Sequence, residues 1–508
     1  MREKMKNNSQ EQQEIYILNP GYGIRQDKKR AIIFRRSIDP VQDKEITDIL
    51  ALIHPVYAII LSFFDGKSKL NKVIEELAGF LKLEKTNVYK LIFPLLENDD
   101  KLNFQYDGNH FHLPQKILIK KCDKKIVEKY DIRQFFIPKK DLDFKSWRLF
   151  YPLDIIFMVN TVCLTNCIYC YADRRKIMNC QIPFERLREL IQEAKKIGMR
   201  SFDLTGGEVF LYPEWEKLLK ELVSNGFTPY ISTKIPIGTD IIEKLKEIGI
   251  KSIQISIDSI VKDELIRILR VKDDYYEKLL KTLENLSNSG IEIYTNTQVT
   301  NINKGSIESL IQYLRKLKTI KRVAVGMAGF SLYNDINYFN FRSDIESVNR
   351  IESFINSLKN NPENEIEYNF PGYLSPDKYY GNEMDKQKKF NERARCSGNF
   401  YALIILPNGQ VTICEELYYN PAFIIGDLNK NSIEEVWNSE KALRLYKLSK
   451  DSIKPESACK SCNQFDECHQ FKGVCWKEIL YAYGDENWDY PDPRCPKAPE
   501  PHRIFYLE

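Results

Sequence analysis

The sequence predicts an α/β protein organised around a partial (β/α)6, TIM-type parallel barrel, and three observations carry that reading. Between about 149 and 345, short apolar runs alternate with amphipathic segments of helical period, as strands and helices do in βαβ units. Glycine and polar residues stand where those strands should end, and barrel chemistry belongs at C-terminal strand ends. The twelve cysteines are clustered, three at 163–170 and seven between 396 and 495. In a large chain such clusters more often bind metal than form disulfides.

Strands are expected near 155–159, 201–204, 229–232, 252–257, 292–299 and 322–326, with helices near 184–197, 214–224, 240–248, 276–289 and 306–317 between them. The barrel domain is set at 149–345. Ahead of it, 116–148 is rich in Lys and Asp, contains Pro138 and shows little periodicity, which reads as a linker with some local structure. Earlier still, short strands are expected at 15–18 before the turn Pro20, Gly21, Tyr22 and Gly23, then at Ile24 and 31–34 after it, followed by helical patterns near 45–64, 70–83 and 86–97. A hairpin, 102–106 with 110–113 around Asp107 and Gly108, closes this unit as a wing. Strands, three helices and a wing describe a winged helix-turn-helix domain at 13–115.

Charge restricts what these domains can do. The formal net charge is +4, with 29% charged residues, so no global field points to nucleic acid or an anionic membrane. Within 13–115, 14 Lys and Arg balance 14 Asp and Glu. A duplex-binding module should carry a basic footprint, and this one does not. The chain shows no apolar run of transmembrane length, and its polar start, 1–14, lacks a secretory apolar region. A cytoplasmic protein with neither a membrane nor a nucleic-acid partner is expected. For Cys122 and Cys180 the default is a small buried hydrophobe or an idle thiol.

The centre of the chain is Cys163-x3-Cys167-x2-Cys170. Three thiolates on one tight loop suit a four-iron cubane, leaving one iron open. A structural zinc site would want a fourth ligand, for which Cys180 is the nearest thiol. With an apolar strand before it, Tyr169 inside it and Gly206-Gly207-Glu208 after the next strand, the motif resembles the radical S-adenosylmethionine (SAM) superfamily. The resemblance implies that SAM binds the open iron through its methionyl amine and carboxylate, and that the reduced cluster cleaves it to a deoxyadenosyl radical. It implies that Gly206, Gly207 and Glu208 receive the amine. Thr233, Ser256, Asp258 and Gln298 stand where the family contacts ribose and carboxylate, Arg270 is a carboxylate partner, and Tyr169 stacks near adenine. Each has a plainer reading: Glu208 as a helix-start charge, Arg270 as a solvated helix residue, Tyr169 as a core aromatic. Lys234 stands where the family often has Asn, and Ser259 where it often has Gly.

After a bridging region, 346–395, the remaining cysteines fall in a domain at 396–500. Cys396, Cys414, Cys459, Cys462, Cys468, Cys475 and Cys495 resemble, in their order, the SPASM extension of radical enzymes. By that resemblance Cys459, Cys462, Cys468 and Cys495 bind one auxiliary cluster fully. Cys396, Cys414 and Cys475 bind a second with one iron open to a substrate thiolate, unless His469 or water fills it. The six-residue gap before Cys475 exceeds the family's usual three. One or two zinc ribbons are the alternative. Three 4Fe-4S clusters and SAM are thus the implied cofactors.

The segments 18–25 (LNPGYGIR) and 60–66 (ILSFFDG) resemble the PqqD-type domain, which recognises leader peptides of ribosomally made, modified peptides by adding a strand to its sheet. A domain that merely packs on the enzyme is the alternative. Together these resemblances imply a sactipeptide- or ranthipeptide-like maturase that forms thioether crosslinks in a precursor peptide held by its leader, with electrons from a flavodoxin or ferredoxin. Carbon-carbon crosslinking, epimerisation and sulfatase-type oxidation are the alternatives within the class. An iron-sulfur winged-helix regulator is the alternative outside it. No catalytic base is assigned.

Overall fold

The computed structural model describes residues 13–36, 50–121, 128–173, 175–334, 338–361, 364–370, 379 and 381–503. Cys122 lies outside them. The chain divides into two compact units, Met1–Tyr151 and Pro152–Glu508.

In the first unit, strands Tyr22–Gln26, Ala31–Arg35 and Leu50–Ile53 form an antiparallel sheet, and Tyr16–Leu18 pairs separately with Leu118–Lys120. Helices Pro55–Ser62, Leu70–Leu81 and Lys85–Ile92 follow, then the hairpin Leu102–Tyr106 with Asn109–Leu113. Asp107 and Gly108 both take positive φ, as a two-residue type I′ turn requires. Leu70, Val73, Ile74, Leu77 and Ala78 bury one face of the second helix, the stripe expected of helical period.

Two expectations for this unit are corrected. Residues 50–53 are not helical: Ile53 pairs with Ala31 and Leu50 with Phe34, so the open edge of the neighbouring strand outweighs local propensity. The helix begins only at Pro55, whose fixed φ suits a first helical position, with His54 accepting from Val56 N as cap. The first part of the expected helix, 45–49, lies outside the described residues. Nor is 116–148 mere connection. Leu118–Lys120 is a strand, Phe135 is buried, and Arg30, itself fully buried, pairs with Asp27 at 3.0 Å and donates to the Ser146 and Arg148 carbonyls.

The second unit contains the barrel. Asp154–Met158, Ser201–Thr205, Ser232–Thr233, Ser252–Ser256, Glu292–Val299 and Ile320–Met327 run parallel in that order, joined between Thr205 and Ser232 by a single bridge, Leu204 to Ile231. The third strand is shorter and later than periodicity suggests, and the Tyr230 amide is instead taken by the Asp203 carboxylate at 2.9 Å. Helices Phe184–Ile197, Trp215–Ser224, Thr239–Ile248, Tyr275–Ser289 and Ile307–Leu314 occupy the expected crossovers. A further helix, Lys262–Leu269, was not anticipated. Its eight residues are too short for a firm periodic signal.

The arc stays open and is extended at both edges. Glu367–Asn369 pairs parallel with Ile320–Met327, and Ala402–Ile405 pairs parallel with Asp154–Met158. The latter strand belongs to the cysteine-rich region, whose hairpin continues through Gln410–Thr412 and Ile424–Asp427. The region expected as a separate domain at 396–500 is therefore built into the barrel sheet. Buried Leu403 and Ile405 share one core with Ile155 and Phe157. Among the described residues no helix is long and apolar enough to cross a membrane.

Candidate active site

The first barrel strand delivers the cysteine loop to the C-terminal end of the sheet. The loop is held by backbone bonds: Asn166 N donates to Leu269 O at 2.8 Å and Ile168 N to Ile268 O at 2.9 Å. The unanticipated helix thus supports the loop through its last turn. Asn334 adds a side-chain donor to Ile168 O at 2.8 Å, and Thr165 Oγ1 lies 3.1 Å from the Cys163 sulfur and 3.3 Å from that of Cys167.

Cys163, Cys167 and Cys170 line one cavity of about 350 Å³, together with Tyr169, Gly206, Gly207, Thr233, Ser256 and Gln298. That volume suits a small-molecule cofactor. Three thiols with one face open are the donor set of a cubane lacking its fourth protein ligand, so the residues fit the cluster and SAM. Cys180 is absent from the lining, its thiol turned to Ile182 O.

The glycines also let backbone approach backbone. A Cβ on Gly206 would lie 2.4 Å from Asn160 O, and one on Gly207 2.1 Å from Val162 O. The close approach they allow is thus to the backbone entering the cysteine loop, sealed by Gly207 N donating to Asn160 O at 2.8 Å.

Three predicted residues lie behind the lining or away from it. Glu208 is buried, accepting from Thr233 Oγ1 at 2.8 Å, Lys234 N at 3.1 Å and Phe210 N at 3.3 Å. Burial pushes its carboxyl up to about 7, against those hydrogen bonds. It braces the strand ends and caps the short turn Val209–Leu211. Asp258 is fully buried behind the lining, where it pairs with Lys234 Nζ at 3.1 Å, accepts from the Tyr169 hydroxyl, and accepts from Gln298 N at 2.8 Å. Arg270 is exposed, in left-handed conformation at the end of Lys262–Leu269. It is not part of the cavity wall, so the solvated reading fits it better than a carboxylate contact.

Sequence reasoning missed several wall residues. Lys234, noted only as a departure, lies in the wall with its ammonium 4.8 Å from the Tyr169 ring centre. Burial opposes its charge, but Asp258 and the Cys167 thiolate outweigh that and raise its pKa. Glu416, Tyr418 and Lys477 come from the cysteine-rich region, with Lys477 paired to Glu416 at 2.5 Å. Only the pairing of Ala402–Ile405 with the barrel brings them there, and no periodic signal announces it.

The auxiliary cysteines separate into the two expected sets. Cys459, Cys462, Cys468 and Cys495 line one small cavity; Cys396, Cys414 and Cys475 line another. The six-residue gap before Cys475 is absorbed by a π-helical turn, Cys468–Lys472, closed by Gly473 N donating to Cys468 O at 2.9 Å. Arg393 donates to the Cys468 sulfur at 3.3 Å and Lys497 to that of Cys462 at 3.6 Å, donors that would also favour an anionic cluster. Burial pushes the Cys414, Cys459 and Cys468 thiols up to about 12. Without a cluster they hold their protons, which metal loading must release.

Comparison with known proteins agrees with this geometry. Residues 158–317 match the Radical SAM superfamily and residues 396–463 the SPASM iron-sulfur cluster-binding domain. The chain carries a radical SAM domain followed by a SPASM domain. A GTP 3′,8-cyclase of Clostridium botulinum is 25% identical over 184 residues, covering 34% of this chain and 57% of that protein. The antilisterial bacteriocin subtilosin biosynthesis protein AlbA of Bacillus subtilis is 23% identical over 298 residues, 58% of this chain and 61% of AlbA. The chain thus spans a little over half the length of these curated relatives. In fold it is similar to Streptococcus suis SuiB bound to SAM, with a TM-score of 0.64 at 15% identity over 94% of this chain and 99% of SuiB. SuiB bound to its precursor peptide SuiA gives 0.62 at 14%, over 94% and 98%.

Proposed function

We propose that this protein is a radical SAM oxidoreductase that forms thioether crosslinks in a ribosomally made precursor peptide, whose leader docks at 13–115. When bound, the cluster of Cys163, Cys167 and Cys170 together with SAM supplies one-electron, hydrogen-abstracting chemistry. The protein's own part is to orient the substrate and exclude water. Gly206 and Gly207 let the cysteine loop seat against the second strand, while Tyr169 and Lys234 stand in the wall beside it, hydrogen-bonded to buried Asp258 behind them.

One observation carries the thioether reading: Lys477 lines both the radical cavity and the Cys396, Cys414 and Cys475 cavity. A substrate sulfur held at the second would lie one side chain away from a carbon presented in the first. Three protein thiolates leave one position there for a further ligand. The fold likeness to SuiB, solved with a precursor peptide, and the partial match to AlbA, named for bacteriocin biosynthesis, support a peptide substrate. The balanced charge of 13–115 supports leader docking over duplex binding. A flavodoxin or ferredoxin as electron donor and a cytoplasmic site of action complete the proposal.

The test is anaerobic incubation with SAM, reductant and a small Cys-containing peptide encoded beside the gene. Loss of two hydrogens per crosslink with no alkylatable thiol left supports a thioether. The same loss with the thiol intact refutes it in favour of carbon-carbon crosslinking. Absence of deoxyadenosine would overturn the radical reading and leave the regulator.

A further inference from the structure

The wall of the Cys396, Cys414 and Cys475 cavity contains one imidazole, that of His469. Of the other nitrogen-bearing side chains there, Lys477 pairs with Glu416 at 2.5 Å and the Asn399 amide donates to Ala442 O at 2.9 Å, while the Trp476 indole N–H is a donor only and offers no lone pair to iron. His469 is 8% exposed, its ring 4.4 Å from that of Phe465 and 6.0 Å from that of Trp476. These neighbours restrict the ring's orientation but satisfy no nitrogen. Among the described residues neither ring nitrogen has a hydrogen-bond partner. An imidazole in a cavity wall with no protein partner for either nitrogen calls for an explanation.

The π-helical turn supplies one. Cys468 stands in the wall of the four-thiol cavity and Cys475 in that of the three-thiol cavity, and the turn Cys468–Lys472 begins the path from one to the other. That path carries the residues by which the Cys468 to Cys475 spacing exceeds the usual one, and it places His469 on the partition, lining both cavities. The four-thiol set needs no further ligand. The three-thiol set lacks one, and imidazole is an accepted iron ligand beside thiolates.

We propose that His469 completes the coordination of the iron-sulfur cluster held by Cys396, Cys414 and Cys475 in the resting protein. This rests on the reading that those three cysteines hold a cluster, and it makes the remaining iron position one that a substrate sulfur reaches only by displacing an imidazole.

The test uses the full chain with Cys163, Cys167 and Cys170 replaced by alanine, so that auxiliary iron alone contributes. Pulsed electron paramagnetic resonance on the reduced protein should show a directly bound nitrogen whose signal changes with 15N-histidine. It should vanish in His469→Ala, and also in His469→Cys, where a thiolate restores the ligand count and guards against mere loss of the site. The signal should be lost with Cys414→Ala and survive Cys459→Ala. Full auxiliary iron without a histidine nitrogen signal overturns the inference and leaves the cluster reading intact. A nitrogen signal that survives Cys414→Ala assigns the ligand elsewhere and also overturns it. Auxiliary iron undiminished by Cys414→Ala overturns inference and cluster reading together.

Discussion

Gly207→Ala tests the seating of the cysteine loop. The added Cβ would lie 2.1 Å from Val162 O, 2.6 Å from Val162 C and 2.7 Å from Thr161 C, all backbone atoms. No rotamer change relieves such a contact, and ordinary packing needs separations near 3.5 Å. The segment entering the loop must therefore move by more than 1 Å, roughly, against bonds that anchor it to Leu269 and Ile268. Overpacking of this kind costs about 1–3 kcal/mol in stability, which a chain with so large a core should survive. The larger effect falls on chemistry, since a displacement of about 1 Å can cost on the order of 100-fold in rate. The assay is peptide-independent cleavage of SAM by the anaerobically reconstituted protein, with iron counted per chain. Gly207→Ala should cut cleavage about 100-fold while auxiliary iron is retained, and a wild-type rate would refute the seating argument.

Glu208 has a folded pKa of about 7 against an ordinary 4.5, so its neutral form is favoured on folding. Its contribution is complete below about pH 4.5 and lost as pH rises through about 7, a difference of about 3 kcal/mol; Glu208→Gln should flatten that part of the melting-temperature profile, and an unchanged slope would count against the burial argument. Arg30→Met removes the nearer of two guanidinium groups beside buried Asp27, leaving Arg25 at 3.8 Å, and should destabilise the first unit by about 3 kcal/mol, read as earlier proteolysis within 13–151. Lys234→Met removes the cation paired with buried Asp258. It should lower the melting temperature and weaken SAM binding measured by calorimetry, and wild-type affinity would show that the pair does not shape the cavity.

Much of the radical site was legible because its chemistry is local. Three cysteines within eight residues must face one object, and Gly206 and Gly207 announce close backbone packing whatever the partner proves to be. Glu208 and Asp258 were identified as important, but their burial behind the wall depends on Thr233, Lys234, Tyr169 and Gln298 converging from three strand ends or loops. No local pattern encodes that convergence. Arg270 misled for the opposite reason: its chemistry suits a carboxylate, while its left-handed backbone at the end of Lys262–Leu269 leaves it in solvent.

By itself the sequence determined the alternation of strands and helices, the clustering of the cysteines and the balanced charge of 13–115, because periodicity, spacing and charge are properties of neighbouring residues. Only the tertiary structure decided that residues 50–53 are a strand, that Ala402–Ile405 joins the barrel sheet, and that His469 and Lys477 stand at the auxiliary cavity. Each of these depends on which open strand edge or cavity wall a segment meets far along the chain, where backbone pairing and burial outweigh what the segment prefers alone.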